Sequence, residues 1–112
     1  TTLQNTIVEQ TNKDIESLLQ DIYDAGQKLY DDATISNLRG YRNTLKKFLQ
    51  TASKSMFEIS ILRGRKIDLK IIRIIDEKLK FITDNFFELQ KDKMQLLSEI
   101  EEIKGLVVDV VY

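Results

Sequence analysis

The sequence has no cysteine, no histidine, no tryptophan and no proline, and only four glycines. Without cysteine there are no disulfides, thiolate metal sites or thiol nucleophiles. Without histidine, the side chain best suited to proton transfer near neutrality and the commonest metal ligand are both missing. No apolar run approaches the ~18 residues that mark a transmembrane helix. No basic stretch leading into an apolar segment reads as a secretory signal. These absences lead us to expect a cytoplasmic protein that is not an enzyme, holds no cofactor or metal, and does not enter a membrane. The lack of proline and scarcity of glycine also leave little to interrupt long helices.

What remains is 112 residues, 42% hydrophobic and 31% charged, which suits a single globular domain. The formal charge of −1 conceals a pattern. Residues 1–38 sum to −5, residues 39–80 to +8 and residues 81–112 to −4. The chain is acidic, then basic, then acidic.

Apolar residues recur at spacings of three and four, the period of a helix with one buried face. Ile15, Leu18, Leu19, Ile22, Gly26, Leu29 and Tyr30 draw one stripe, which stops at Asp31-Asp32. Thr34 or Ser36 suits the N-cap of a second helix, with the stripe Leu38, Tyr41, Leu45, Phe48, Leu49, Ala52 and Met56. Residues 56–62 (MFEISIL) alternate like a strand. A lone strand would leave its backbone groups unpaired, so they are read as more of helix 2. The third stripe is Ile67, Ile71, Ile75, Leu79, Ile82, Phe86 and Leu89. Flanked by Ile72, Ile74 and Phe81, it is wide enough to face two neighbours. A break falls near Gln90 to Asp92, and the last stripe is Leu96, Ile100, Ile103, Val107 and Val110. The expected fold is all-α: a single-domain antiparallel four-helix bundle over residues 12–112, with helices at about 13–31, 35–62, 65–89 and 93–110. Residues 1–11 read as an N-terminal arm, weakly ordered or helical.

Three blocks in this order resemble the YaaR-like family, a bacterial family of unknown function. They are Asp14 to Leu29 (DIESLLQDIYDAGQKL), Leu38 to Leu49 (LRGYRNTLKKFL, with Tyr41 and Phe48), and Ile100 to Tyr112 (IEEIKGLVVDVVY, with Ile103, Gly105, Leu106 and Asp109). A segment like the family's central helix, IIRIIDEKLKFIT, lies between them. The resemblance implies a small cytoplasmic all-α protein and carries no activity. The valine-rich end and the MFEISIL stretch depart from the family pattern.

Between Ala33 and Phe57 there is no acid, while Arg39, Arg42, Lys46, Lys47 and Lys54 are present. Arg39, Arg42 and Lys46 follow spacings of three and four and share one flank of helix 2. Two readings are open. They pair across helices with acids such as Asp14, Asp21, Asp24, Glu99 or Glu102, or they face an anionic partner. Arg63, Arg65 and Lys66 surround Gly64 at the next turn, a phosphate-binding candidate without any nucleotide motif. Leu69 and Phe87 lie off the third stripe on a common flank, as an apolar docking or dimerisation patch would. On helix 3, Arg73–Glu77, Glu77–Lys80 and Lys80–Asp84 are placed to pair along the helix. The adjacent acids Asp31-Asp32, Asp76-Glu77 and Glu101-Glu102 diverge by about 100° on a helix and cannot grip one ligand together. The expected function is therefore an adaptor or regulatory protein that meets another protein through this basic middle or through the exposed apolar flank, which would also serve a homodimer. The alternative is nucleic-acid association through the same cations. The tyrosines are read as core-edge residues, not interleaved with the cations as a base-stacking platform requires.

Overall fold

A computed structural model of the chain describes the backbone of residues 2–63 and 69–111, and the side chains of residues 16–54 and 70–111. Within these residues the structure is helical, with no strand. Five helices follow in order: α1 (Thr2–Asp31), α2 (Ile35–Arg63), α3 (Leu69–Asp84), α4 (Phe86–Lys91) and α5 (Lys93–Val111). Thus the backbone of residues 2–11 runs on as part of α1, and the MFEISIL stretch and the valine-rich end are helical.

Side-chain capping sets the boundaries. Thr34 Oγ1 accepts from Asn37 N at 3.1 Å and starts α2. The Asn37 side chain also donates back to Asp32 O at 2.7 Å, an oxygen that Thr34 N reaches as well at 2.9 Å, and so ties α2 to the turn after α1. Asp92 Oδ1 accepts from Gln95 N at 3.1 Å and starts α5.

The third stripe, read as one helix over 65–89, is divided at Asn85 (φ −111°, ψ 17°). The hydrogen-bond ladder bridges this break, with Asn85 N donating to Phe81 O at 3.0 Å and Leu89 N to Asn85 O at 3.0 Å. The Asn85 side chain also donates to Phe81 O at 2.9 Å. A short polar side chain that bonds the preceding turn competes with regular helix, which is the physical reason for the bend.

The long helices alternate in direction. Tyr23 and Tyr30 of α1 lie beside Lys104 and Lys93 of α5. Arg42 and Lys46 of α2 lie beside Thr83 and Lys80 of α3. Both tight turns therefore sit at one end of the bundle, where Gln90 Nε2 donates to Ala33 O at 2.8 Å and Lys93 Nζ donates to Tyr30 O. We call this the closed end. Each of α1, α2, α3 and α5 packs on two neighbours, closing a four-sided bundle in up-down-up-down order. At 1.5 Å per residue, the 30 residues of α1 span about 45 Å and the 19 of α5 about 28 Å. The α1–α2 hairpin therefore outreaches α3 and α5 in a molecule 53 Å long.

The core is the set of stripes. Leu18, Leu19, Ile22 and Leu29 meet Leu38, Tyr41, Leu45, Phe48, Leu49 and Ala52. These pack on Ile75, Leu79, Ile82, Phe86 and Leu89, and on Leu96, Ile100, Ile103, Val107 and Val110. Tyr41 is deeper than a core-edge residue, at 1% exposure. Ile15, Met56, Ile67 and Tyr112 lie outside the residues whose side chains are described.

Candidate interaction surface

The antiparallel pairing of α2 with α3 and α4 decides which cations can act together. Arg39 and Lys46 are exposed and Arg42 is half-buried. At the closed end, Ile35, Arg39 and Arg42 of α2 face Thr83, Phe87 and Gln90 across a groove of about 300 Å³ floored by Leu38 and Phe86. Further along, Arg42 and Lys46 face Asp76, Lys80, Thr83 and Asp84 across a second hollow of about 330 Å³. Arg42 and Thr83 line both, so the two hollows adjoin at these residues, and we refer to them together as the channel. Lys47 is exposed but lines neither. The side chains of Arg63, Arg65, Lys66 and Leu69 lie outside the described residues.

Phe87 therefore joins the Arg39–Arg42–Lys46 flank, a grouping that α2 alone does not reveal. Ile35 joins it too and was missed by the sequence reading. Its signal was position: it stands three residues before Leu38 and four before Arg39, between the buried stripe and the basic flank. Ile35 and Phe87 are 64% and 66% exposed and stand on the two sides of one groove, an apolar pair where single exposed residues would be ordinary. Lys91 Nζ lies 4.1 Å from the Phe87 ring centroid and covers part of one face.

The arginines of this groove make no ion pair among the described residues. Among the described residues, the ion pair joins Lys78 of α3 to Glu102 of α5. None of Arg39, Arg42, Lys46 and Lys47 takes part in one, and the cross-helix pairing considered for them is not made among these residues. Nor do Arg73–Glu77, Glu77–Lys80 and Lys80–Asp84 close along α3 among the described residues. The Nε of Arg42 is buried without a hydrogen-bond partner. Asp76 and Asp84 share its channel without pairing to it.

A family model for a protein of unknown function, DUF327, matches residues 1–111. The chain belongs to the DUF327 family. It is 26% identical over 115 residues to the uncharacterised protein YaaR of Bacillus subtilis (strain 168), a match covering 98% of this chain and 79% of YaaR. The crystal structure of the DUF327 protein TM1646 from Thermotoga maritima superposes with a TM-score of 0.78 at 27% identity, covering 97% of this chain and 94% of that one. The fold and the resemblance to YaaR read from the sequence are thus both DUF327 features.

Two other hollows lie on the described surface of this DUF327 protein. Between α3 and α5, Ile74 and Phe81 line a shallow depression with Glu77, Lys78 and Glu99. Glu99 is 8% exposed, and its carboxylate accepts from Gln95 Nε2 at 2.8 Å. Between α1 and α5 a cavity of about 50 Å³ is lined by Gly26, Tyr41, Glu101 and Lys104. The Tyr41 hydroxyl is buried beside it without a protein partner. Burial, and secondarily the Glu101 carboxylate, push the ionisation of this phenol well above the ordinary tyrosine range. Among the described residues, no three carboxylates come together as a metal site would require. No described helix is long and apolar enough to cross a membrane.

Proposed function

We propose that this protein is a non-enzymatic, cytoplasmic interaction module that binds another protein along the α2–α3/α4 channel. One observation carries the reading: two large exposed apolar side chains, Ile35 and Phe87, share a groove with two arginines that make no ion pair. Interface cores favour aromatic side chains and arginine, and exclude lysine and acids to the rim. Arg39, Arg42, Ile35 and Phe87 supply the first set, and Lys46, Lys80 and Asp84 the second. Nucleic acid is the weaker reading, because Asp76 and Asp84 stand in the same channel and would repel a phosphate backbone.

The test is a photo-crosslinking phenylalanine analogue placed at Phe87, at Arg39 and at the distant exposed control Asp109, with cross-links recovered from native lysate after nuclease treatment. Protein adducts at 87 and 39 and not at 109 are the expected result. Adducts that vanish with nuclease would transfer the channel to nucleic acid. Equal adducts at 109, or none, would remove the channel as an interface.

A further inference from the structure

The channel is chemically graded along its length, and the grading describes its occupant. At the closed end Ile35 and Phe87 stand over the buried Leu38 and Phe86, an apolar slot open to water. Seven residues along α2, about 10 Å at helical rise, Arg42 presents a guanidinium whose Nε is buried and unbonded. The Nε is sealed from solvent, so a partner's carboxylate meets the part of half-buried Arg42 that stays open, which makes no ion pair among the described residues, and hydrogen bonds between arginine and a carboxylate are among the strong ones. Arg39 lies between the two points on the same flank.

Resting on the interaction reading above, we propose that the channel seats an amphipathic α-helix of a protein partner. An apolar side chain of that helix enters between Ile35 and Phe87, and an acidic side chain two turns away meets Arg42. A helix is favoured over a strand because the described elements around the channel are all helices, whose backbone groups are already bonded and offer no edge to extend. A row of side chains from a third helix fits between two packed ones, as in ordinary helix packing.

A second copy is disfavoured because the described parts of this chain offer no free helix for the channel. The stripes of α1 to α5 are already buried in its own core.

The experiment is selection of a random 16-residue peptide display library on the immobilised full chain, followed by fluorescence anisotropy and circular dichroism of the enriched peptides. The expected peptides carry an apolar residue and an acid about seven positions apart and gain helicity on binding. They should lose at least tenfold in affinity to Arg42→Gln and to Phe87→Ala, and nothing to the control Lys104→Gln. Phe87 is exposed, so its substitution keeps the test valid if Arg42→Gln disturbs folding. Peptides without an acid, peptides that bind in extended form, peptides indifferent to both substitutions, or no enrichment at all would each overturn the proposal. If the cross-links at Phe87 persist while the selection fails, the helical occupant is lost and the interaction reading stands. If cross-links and selection both fail, both readings fall.

Discussion

Gly26 shows how one residue sets the spacing of three helices. A methyl group there would sit 3.1 Å from Ile100 Cγ2 and 3.4 Å from Tyr41 Cε1. Alanine gains about 1 kcal/mol of helix preference over glycine, while overpacking costs about 1–3 kcal/mol. Ile100 is buried and β-branched, so its χ1 has little freedom to yield, and the cost wins. We predict that Gly26→Ala lowers the melting temperature. Gly40→Ala and Gly105→Ala, with nothing within 4 Å of the added carbon, should raise it, each by about 0.5–1 kcal/mol or a few degrees. A rise in all three would show that the α1–α5 approach is not limiting. The stripe Ile22–Gly26–Leu29 made Gly26 legible as an inward residue, but its neighbours come from two other helices and were not. Tyr41 supplies the pH dependence. Above about pH 10 an unfolded tyrosine releases its proton while buried Tyr41 keeps its own, so the unfolded state binds fewer protons and stability falls as pH rises. Lys78 acts in the same direction. Its hydrogen bond to Glu102 is the largest cause of a raised pKa, so its contribution is complete below the unfolded lysine value and is lost as pH rises through the folded one. Urea midpoints measured from pH 8 to 11.5 should therefore decline above pH 10. Tyr41→Phe should flatten that decline in part, and Tyr41→Phe with Lys78→Gln further. An unchanged slope in the double variant would put the alkaline loss elsewhere.

At the level of elements, the cap at Thr34 was readable, while the cap at Asp92 and the bend were not. Thr34 follows the acidic end of one stripe and precedes the start of the next, and its hydroxyl takes the Asn37 amide as an N-cap should. Asp92 does the same for α5 through Gln95. We expect Thr34→Ala and Asp92→Ala each to cost about 1 kcal/mol in chemical denaturation. The two caps share no partner, so their effects should add within about 0.5 kcal/mol. A neutral Asp92→Ala would mean that the start of α5 is held by the Lys93–Tyr30 contact instead. The bend at Asn85 left no mark because the apolar spacing Ile82–Phe86–Leu89 stays at four and three across it, and all three residues are buried. Periodicity reports which face is inward, not whether the axis is straight. The bend matters to the site, since Phe87, which frames the channel with Ile35, belongs to the short helix after it.

For the whole molecule, the acidic–basic–acidic order of the chain posed a question that composition could not answer. A cation-rich helix between two acidic segments either neutralises its neighbours or stays available. Antiparallel packing sets α2 against α1 and α3, and among the described residues the ion pair forms elsewhere, between Lys78 and Glu102. That pair is partly exposed, with side-chain exposures of 31% and 49%, and pairs of this kind contribute about 0–1 kcal/mol. The bundle is therefore held by its apolar stripes, and the cations of α2 contribute little to its stability. The sequence placed Arg39, Arg42 and Lys46 on one flank because that follows from helical spacing alone. It left Phe87 in a separate patch because the contact between α2 and α4 joins residues far apart in the chain, a relation no local period encodes. This yields a prediction that separates the two roles of charge. Arg39→Glu combined with Lys46→Glu alters exposed side chains without ion-pair partners, so the melting temperature should move by no more than about 2 °C, the size expected of surface substitutions. The same double reversal should abolish the photo-cross-links formed from position 87. A drop of several degrees would show that these cations stabilise the fold, and the channel would lose the free charge on which partner binding is argued. A stable variant that still cross-links at full strength would leave Ile35 and Phe87 as the whole of the recognition, and the interface would then be apolar in origin, with the basic flank of α2 only a solvated face.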